Sequence, residues 1–302
     1  MNESTRESRQ WRVSTDRVLT LDQPRLIGVL NVTPDSFSDG GRFDSIDAAV
    51  GHAQEMIAGG ACMIDVGGES TRPGASRVDV DEQIHRVVPV IRAIAADHDV
   101  LISTDTTSSR VAAAALDAGA HVINDVSAGQ DDAQMLPLAA ARGCGLILMH
   151  RRVRPDQDQY SDQYAAQPEY QDVVVEVRDF LIARAEAAIQ RDVNPAAIVI
   201  DPGLGFGKSV EQNFELIART AELAGLGFPL LSAASRKSFI GKASGVAEPS
   251  DRVPGSVAVS VAHYMAGVRL FRVHDVKAHG QALKVAATID ATCRRPCVTI
   301  TE

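Results

Sequence analysis

The sequence predicts an α/β fold: a single (β/α)8 TIM barrel behind a short N-terminal extension. Three observations predict it. Eight short apolar runs alternate with segments of helical period from residue 26 onward. The runs are continuously hydrophobic, as strands are when a parallel sheet is covered on both faces. They also end on polar residues, which a closed barrel gathers at one face. An open doubly wound sheet is the other arrangement that such alternation allows.

Residues 1–24 precede the barrel pattern and suit a hairpin that plugs its bottom with Trp11. The predicted strands are 26–31 (LIGVLN), 61–66 (ACMIDV), 100–105 (VLISTD), 120–125 (AHVIND), 145–150 (GLILMH), 196–201 (AAIVID), 228–233 (FPLLSA) and 267–274 (GVRLFRVH). Gly, Pro or polar residues bound each of them. Between strands, Ile46, Ala49, Val50, Ala53, Met56 and Ile57 form an apolar helical stripe that Gly59-Gly60 ends. A second stripe is Ile84, Val87, Val88, Ile91 and Ile94, in a helix that Pro89 should kink. Val173, Val177, Phe180, Leu181, Ala185 and Ala188 mark a longer helix. The barrel is placed at 25–292 and a C-terminal tail at 293–302, with no composition shift to mark a second domain.

A net charge of -9 argues against nucleic acid or an acidic membrane surface as partner. No apolar run has the length of a membrane span, and the N-terminus lacks a signal-peptide core, so a cytoplasmic enzyme is expected. Cys62 and Cys144 sit in apolar runs and read as core. Cys293 and Cys297 lie near the tail with no His cluster beside them, which argues against a zinc site.

The strand ends carry the chemistry: Asn31, Asp65, Asp105, Asn124-Asp125, His150, Asp201 and Arg272–His274, with Ser235-Arg236-Lys237-Ser238 after the seventh run. One polar strand end is explained by exit into water. The whole set predicts a ring around one cavity. Asp105, Asn124 and Asp201 suit a flat heterocycle bearing amino and imino hydrogens; a salt-bridged barrel core involving Lys237 is the alternative. Arg72, Arg272 and His274 form a cationic patch suited to a phosphorylated or pyrophosphorylated substrate, and Gly67-Gly68 and Gly74 would let backbone approach its anion. Asn31 could complete an Mg2+ site with phosphate oxygens and water. DPGLGFGK (201–208) has neither dinucleotide-fingerprint nor P-loop spacing, so nucleotide binding is disfavoured. Phe206 either stacks on a ring or packs as core, and a helix should start near Ser209.

Six segments, in order, resemble the dihydropteroate synthase family: GVLNVTPDSFSDGGRF (28–43), DVGGESTRPGA (65–75), INDVSAG (123–129), DPGLGFGK (201–208), SRKSFIG (235–241) and RVHDV (272–276). The resemblance implies condensation of 6-hydroxymethyl-7,8-dihydropterin pyrophosphate with p-aminobenzoate, giving 7,8-dihydropteroate and pyrophosphate in folate synthesis. By motif match, Asp105, Asn124, Asp201 and Lys237 would hold the pterin, with Phe206 beside it. Asn31 would bind Mg2+. Arg72, Arg272 and His274 would hold the pyrophosphate. Thr71, Pro73, Phe37 and Ser238 would surround p-aminobenzoate. Asp35 and Phe37 would close over it on the mobile loop TPDSFSDGG. Asp105, Lys237, Arg272, His274 and Asp35 are the implied catalytic residues. A homodimer is implied through the last helices, with Val257, Val259, Val261 and Ala262 as an apolar face. The family is a sulfonamide target, and sensitivity would depend on the geometry around Phe37, Pro73 and Ser238. A pterin-binding paralogue without synthase activity and a corrinoid methyltransferase domain are the competing readings.

The chain departs from the family's pattern in four places. MHRRV (149–153) replaces the usual MHMQG. The stretch 154–172 is long and polar, and is expected to be a flexible loop. Ala233 or Ala234 stands where a glycine is usual, which would narrow the pterin slot. TDTTSSRV (104–111) lacks the Lys often found after the Asp.

Overall fold

The computed structural model describes residues 10–32 and 42–293, the side chains of 42–45 apart. Asp35, Phe37 and Cys297 therefore lie outside the described residues. Strands β1 (Gln10–Arg12) and β2 (Val18–Thr20) pair antiparallel as the predicted hairpin. Eight parallel strands follow: β3 (Arg25–Asn31), β4 (Ala61–Gly67), β5 (Leu101–Asp105), β6 (Val122–Asp125), β7 (Gly145–Met149), β8 (Ile198–Asp201), β9 (Leu231–Ser232) and β10 (Leu270–Val273). Their order runs from β8 down to β3 and then through β10 to β9. A bridge between Ile200 and Leu230, with the Ile200 N–H donating to Pro229 O at 3.0 Å, joins β8 to the β9 edge and closes the barrel. All eight predicted runs are strands, and the open sheet is excluded.

The side-chain period of two divides each strand between two environments. Leu26, Leu30, Ile64, Val66, Ile102, Ile123, Leu146, Leu148, Ile198, Ile200, Phe271 and Val273 face outward into the main core beneath the helices. Ile27, Met63, Val122, Ile147, Val199, Leu231 and Leu270 face inward and form a second, smaller core with Trp11. Trp11 is fully buried, and its Nε1–H donates to Ala197 O at 2.8 Å. The hairpin thus plugs the N-terminal end of the barrel. Counting two residues up from this apolar layer reaches Asp65, Asn124, Asp201 and Arg272 on four strands, with Val29, Met149 and Ala233 on the other three. The barrel interior changes from oil to charge within one turn of the pleat.

The helices begin on side-chain caps where the sequence offers them. Asp79 caps Val80–Asp97, which runs through Pro89 as one helix. Asp172 accepts from the Val174 and Val175 amides at the start of Val173–Ile189. Ser209 and Gln212 form a capping box on Val210–Ala218, as the expected start near Ser209 requires. Among the described residues, no helix is long and apolar enough to cross a membrane.

Two expectations are corrected. The stretch 154–172 is not a loose loop. Gly74 N–H donates to Pro155 O (2.8 Å), Gly207 N–H to Asp158 Oδ2 (2.9 Å), Asn213 Nδ2 to Ser161 Oγ (3.1 Å) and Gln212 Nε2 to Pro168 O (2.7 Å). Asp158 and Ser161 are buried. It is a strap tied to the Gly74 and Gly207 loops and to the helix Val210–Ala218, with both its side chains and its backbone carbonyls meeting polar groups that would otherwise go unpaired. Val257, Val259, Val261 and Ala262 also fail to form one face of the helix Val253–Met265. Positions two apart lie on different sides of a helix. Val259 packs inward with Ser256, Ser260, His263 and Tyr264, whereas Ala262 is exposed.

Candidate active site

The polar layer at the C-terminal mouth of the barrel is one connected network. Asp65, almost fully buried on β4, accepts from Ser103 Oγ at 2.5 Å and from Asn124 Nδ2 at 3.0 Å. Arg272, from β10, donates Nε to Asp65 Oδ2 (2.6 Å) and Nη2 to Asp105 Oδ2 (2.7 Å). Asp105 and Asn124 are register partners on β5 and β6. The other carboxylate oxygen, Asp105 Oδ1, is buried and has no hydrogen-bond partner among the described residues. Burial pushes the Asp105 carboxyl up to about 7, even with Arg272 beside it pulling the other way. A buried acceptor left open costs about 1–3 kcal/mol until something donates to it.

Asp201 ends β8 and accepts from the Gly203 amide at 2.7 Å; burial raises its carboxyl as well. The loop that follows is held from three directions. Gly203 N–H is taken by Asp201, Gly205 N–H by Asn213 Oδ1 and Gly207 N–H by Asp158 Oδ2. Lys208, fully buried, places Nζ 2.9 Å from Gly203 O, Phe206 O and His150 Nδ1. Burial pushes its ammonium down to about 7. Gly203 and Gly205 both sit at positive φ; a Cβ at Gly203 would lie 1.8 Å from His150 O, and one at Gly205 3.1 Å from Lys237 Cδ. Glycine is required there because the loop lies directly on its neighbours. These three glycine amides are committed to protein acceptors and are not free to cradle a phosphate.

The SRKS turn projects Lys237 over this loop. Arg236 adopts φ 61, donates through Nε and Nη2 to both oxygens of Asp275, and donates its backbone N–H to Ser256 Oγ. Those bonds hold a residue type that seldom takes a left-handed conformation. Lys237 Nζ then lies 4.1 Å from the Phe206 ring centroid. Burial, then Arg272, lowers the Lys237 ammonium to about 8. Phe206 is buried and packs with Val126 and Met149, so it is both a core residue and the floor beneath Lys237.

Beside the network opens a cleft of about 170 Å³, whose lining includes Asn31, Thr71, Arg72, Pro73, Lys237, Ser238, Arg272 and His274. Ala233 lines this cleft, and Ala234 is buried behind it. The expected cationic patch is weaker than its composition suggests. Burial, then the nearby Arg272, pushes the His274 imidazole down to about 3, so it is neutral, with Nδ1 3.1 Å from Ser235 Oγ. Arg272 is committed to two carboxylates. Of the glycines expected to approach an anion, Gly74 has its N–H bonded to Pro155 O, and Gly68 packs so closely on Val87 that a Cβ there would lie 2.9 Å from it. Of the MHRRV arginines, Arg151 is buried and paired with Asp131 at 2.6 Å, and Arg152 lies 4.9 Å from the Tyr170 ring centroid.

Asn31, Asp105, Asn124, Asp201, Lys237, Arg272 and His274, chosen as strand ends or turn residues, thus converge on one mouth. Asp65, also read as a strand end, joins them from two residues inside the end of β4. Ser103 and Lys208 were not chosen. Ser103 lies two residues before the strand-end position 105, and the period of two points to it. Lys208 carries no such signal, since a lysine after a glycine run reads as a surface residue.

Fold and site together define an enzyme that takes a small polar heterocycle into the mouth of a (β/α)8 barrel. The family model described as pterin binding enzyme matches residues 27–274. A dihydropteroate synthase of Synechocystis is 44% identical over 261 residues, covering 86% of this chain and 88% of that protein. The Escherichia coli synthase is 43% identical over 274 residues, covering 90% and 94%. The Xanthomonas albilineans dihydropteroate synthase solved with 4-aminobenzoic acid superposes with a TM-score of 0.86 at 41% identity, over 96% of this chain and all of that one. The same enzyme with 7,8-dihydropteroate gives 0.82 at 38% identity, over 95% and 100%. The chain belongs to the pterin-binding enzyme family and, within it, to the dihydropteroate synthases.

Proposed function

We infer that this enzyme joins 6-hydroxymethyl-7,8-dihydropterin pyrophosphate to p-aminobenzoate, releasing pyrophosphate and forming 7,8-dihydropteroate. The observation that carries the reading is the open, buried Asp105 Oδ1 among Asp65, Asn124 and Asp201. A pterin's amino and ring N–H groups are the donors it lacks.

The roles follow from position. Asp105, Asn124, Asp201 and Lys237 hold the heterocycle above the Phe206 floor. Arg72, Arg272 and the neutral ring of His274 face the pyrophosphate. Thr71, Pro73 and Ser238 line the place of p-aminobenzoate; Asp35 and Phe37, which the resemblance adds to it, lie outside the described residues. As the methylene C–O bond breaks, its electron pair leaves with pyrophosphate and positive charge spreads into the ring. The carboxylates of Asp105 and Asp201 favour that charge. The amine of p-aminobenzoate forms the C–N bond and then sheds a proton, so no enzyme nucleophile takes part.

Among the described residues, no group of three His, Cys, Asp or Glu side chains forms a metal cage. Asn31 supplies one hard oxygen at the cleft wall. That donor set fits an Mg2+ ion held mainly by pyrophosphate oxygens and water. When bound, the ion would neutralise charge on the leaving group. The exposed apolar side chains Met265, Val285 and Ile289, with Ala262, offer a face on the last two helices for a homodimer. Light scattering should give twice the chain mass, and Ile289→Asp should halve it; a wild-type monomer rules the dimer out.

The deciding experiment measures pyrophosphate release from purified protein with the dihydropterin pyrophosphate, p-aminobenzoate and Mg2+. Release should require all three and collapse in folded Lys237→Ala and Arg272→Ala. A wild type that binds the pterin yet releases nothing would leave the paralogue reading in its place.

A further inference from the structure

We propose that Tyr160 is the outer wall of the arylamine site and limits the size of the para substituent its substrate can carry. The proposal rests on the synthase reading and deepens it.

Tyr160 lies on the strap that departs from the family's pattern. Its backbone is pinned on both sides. Asp158 holds the Gly207 amide at 2.9 Å, and Ser161 Oγ accepts from Asn213 Nδ2 at 3.1 Å. Pro155 O takes the Gly74 N–H at 2.8 Å, tying the strap to the Thr71–Pro73 wall of the cleft. The ring between these anchors is 36% exposed and lines the cleft shared with Pro73, Lys237, Ser238 and Arg252. Among the described residues its hydroxyl has no hydrogen-bond partner. A rigid aromatic ring held on a fixed backbone, yet unused by the core, is positioned to meet something that arrives.

The reaction sets which end of the second substrate it meets. The pterin lies deep, at Asp105 and Asn124, so the amine must point inward to reach the methylene. The carboxylate end then points outward, toward Arg252 and Tyr160. A ring there closes the cleft behind a carboxylate but leaves little room for a bulkier acyl group. The wall is set by ring volume, not by the hydroxyl.

The test compares kcat/KM for p-aminobenzoate and p-aminobenzoylglutamate in wild type, Tyr160→Phe and Tyr160→Ala, with dihydropterin pyrophosphate saturating. Tyr160→Ala should raise the ratio in favour of the bulkier amine by roughly tenfold, the scale of discrimination that a side-chain volume in a pocket supplies. Tyr160→Phe should keep the wild-type ratio. The KM for the pterin pyrophosphate and the urea midpoint should not move, because the ring is exposed and unbonded. An active wild type whose ratio is unchanged in Tyr160→Ala overturns the proposal, as does equal loss toward both amines. A wild type inactive with p-aminobenzoate instead overturns the synthase reading beneath it.

Discussion

Asp105 is pulled in opposite directions. Burial raises its carboxyl to about 7, Arg272 stabilises one oxygen at 2.7 Å, and the other has no donor among the described residues. A pterin N–H reaching Oδ1 favours the ionised form, so binding and deprotonation are linked. The sign follows. Below about pH 7 the free site is increasingly protonated, and part of the binding energy goes into removing that proton. Dihydropterin affinity should therefore rise with pH up to about 7 and level off above it. Lys208, lowered to about 7, and Lys237, lowered to about 8, change charge in the same range, so Asp105→Asn is the variant that isolates the carboxyl's part of the profile. It should flatten the profile and weaken binding by about 1.5–3 kcal/mol, roughly 10- to 150-fold, as loss of a charged hydrogen-bond acceptor does. Calorimetric titration between pH 5.5 and 8.5 measures both effects. A wild-type profile flat across pH 7 would sink the assignment of Asp105 as the ionised acceptor.

At the scale of elements, the strands were legible because a parallel barrel strand has few alternatives. A continuous apolar run such as GLILMH, bounded by glycine and a polar end, has no face on which to sit except between two layers. Helices with side-chain caps were legible for a similar reason, as at Ser209. The strap was misread because composition reports polarity, not partners. PDQDQYSDQY has the composition of a solvated loop, yet Asp158 and Ser161 are buried by bonds to Gly207 and Asn213, some fifty residues away. Charge was misread in the same way. His274 and Arg272 were counted as cations from their side chains alone. Burial, then the nearby Arg272, makes His274 neutral, and Asp65 and Asp105 take up Arg272. Such long-range pairings leave no local mark on a sequence. The period of two does leave one, and it would have placed Ser103 inside the barrel beside Asp65.

Across the whole molecule, the barrel separates what holds it together from what it does. Trp11 and the inward apolar layer fill the N-terminal end, and the charged network fills the other, with one pleat between them. Trp11→Ala empties the plug and strands Ala197 O, which now accepts from the indole N–H at 2.8 Å. A change of this kind costs about 3–5 kcal/mol, since the surrounding barrel cannot collapse into the space. The site depends on register along β4, β5, β6 and β10, which the outward-facing core under the helices maintains without the tryptophan. Trp11→Ala should therefore lower the urea midpoint strongly, leave the slope of the transition nearly unchanged, and preserve KM for both substrates in the folded fraction. A large rise in KM for the pterin pyrophosphate at unchanged secondary structure would mean that the plug sets the register of the mouth, and that the two ends are mechanically one.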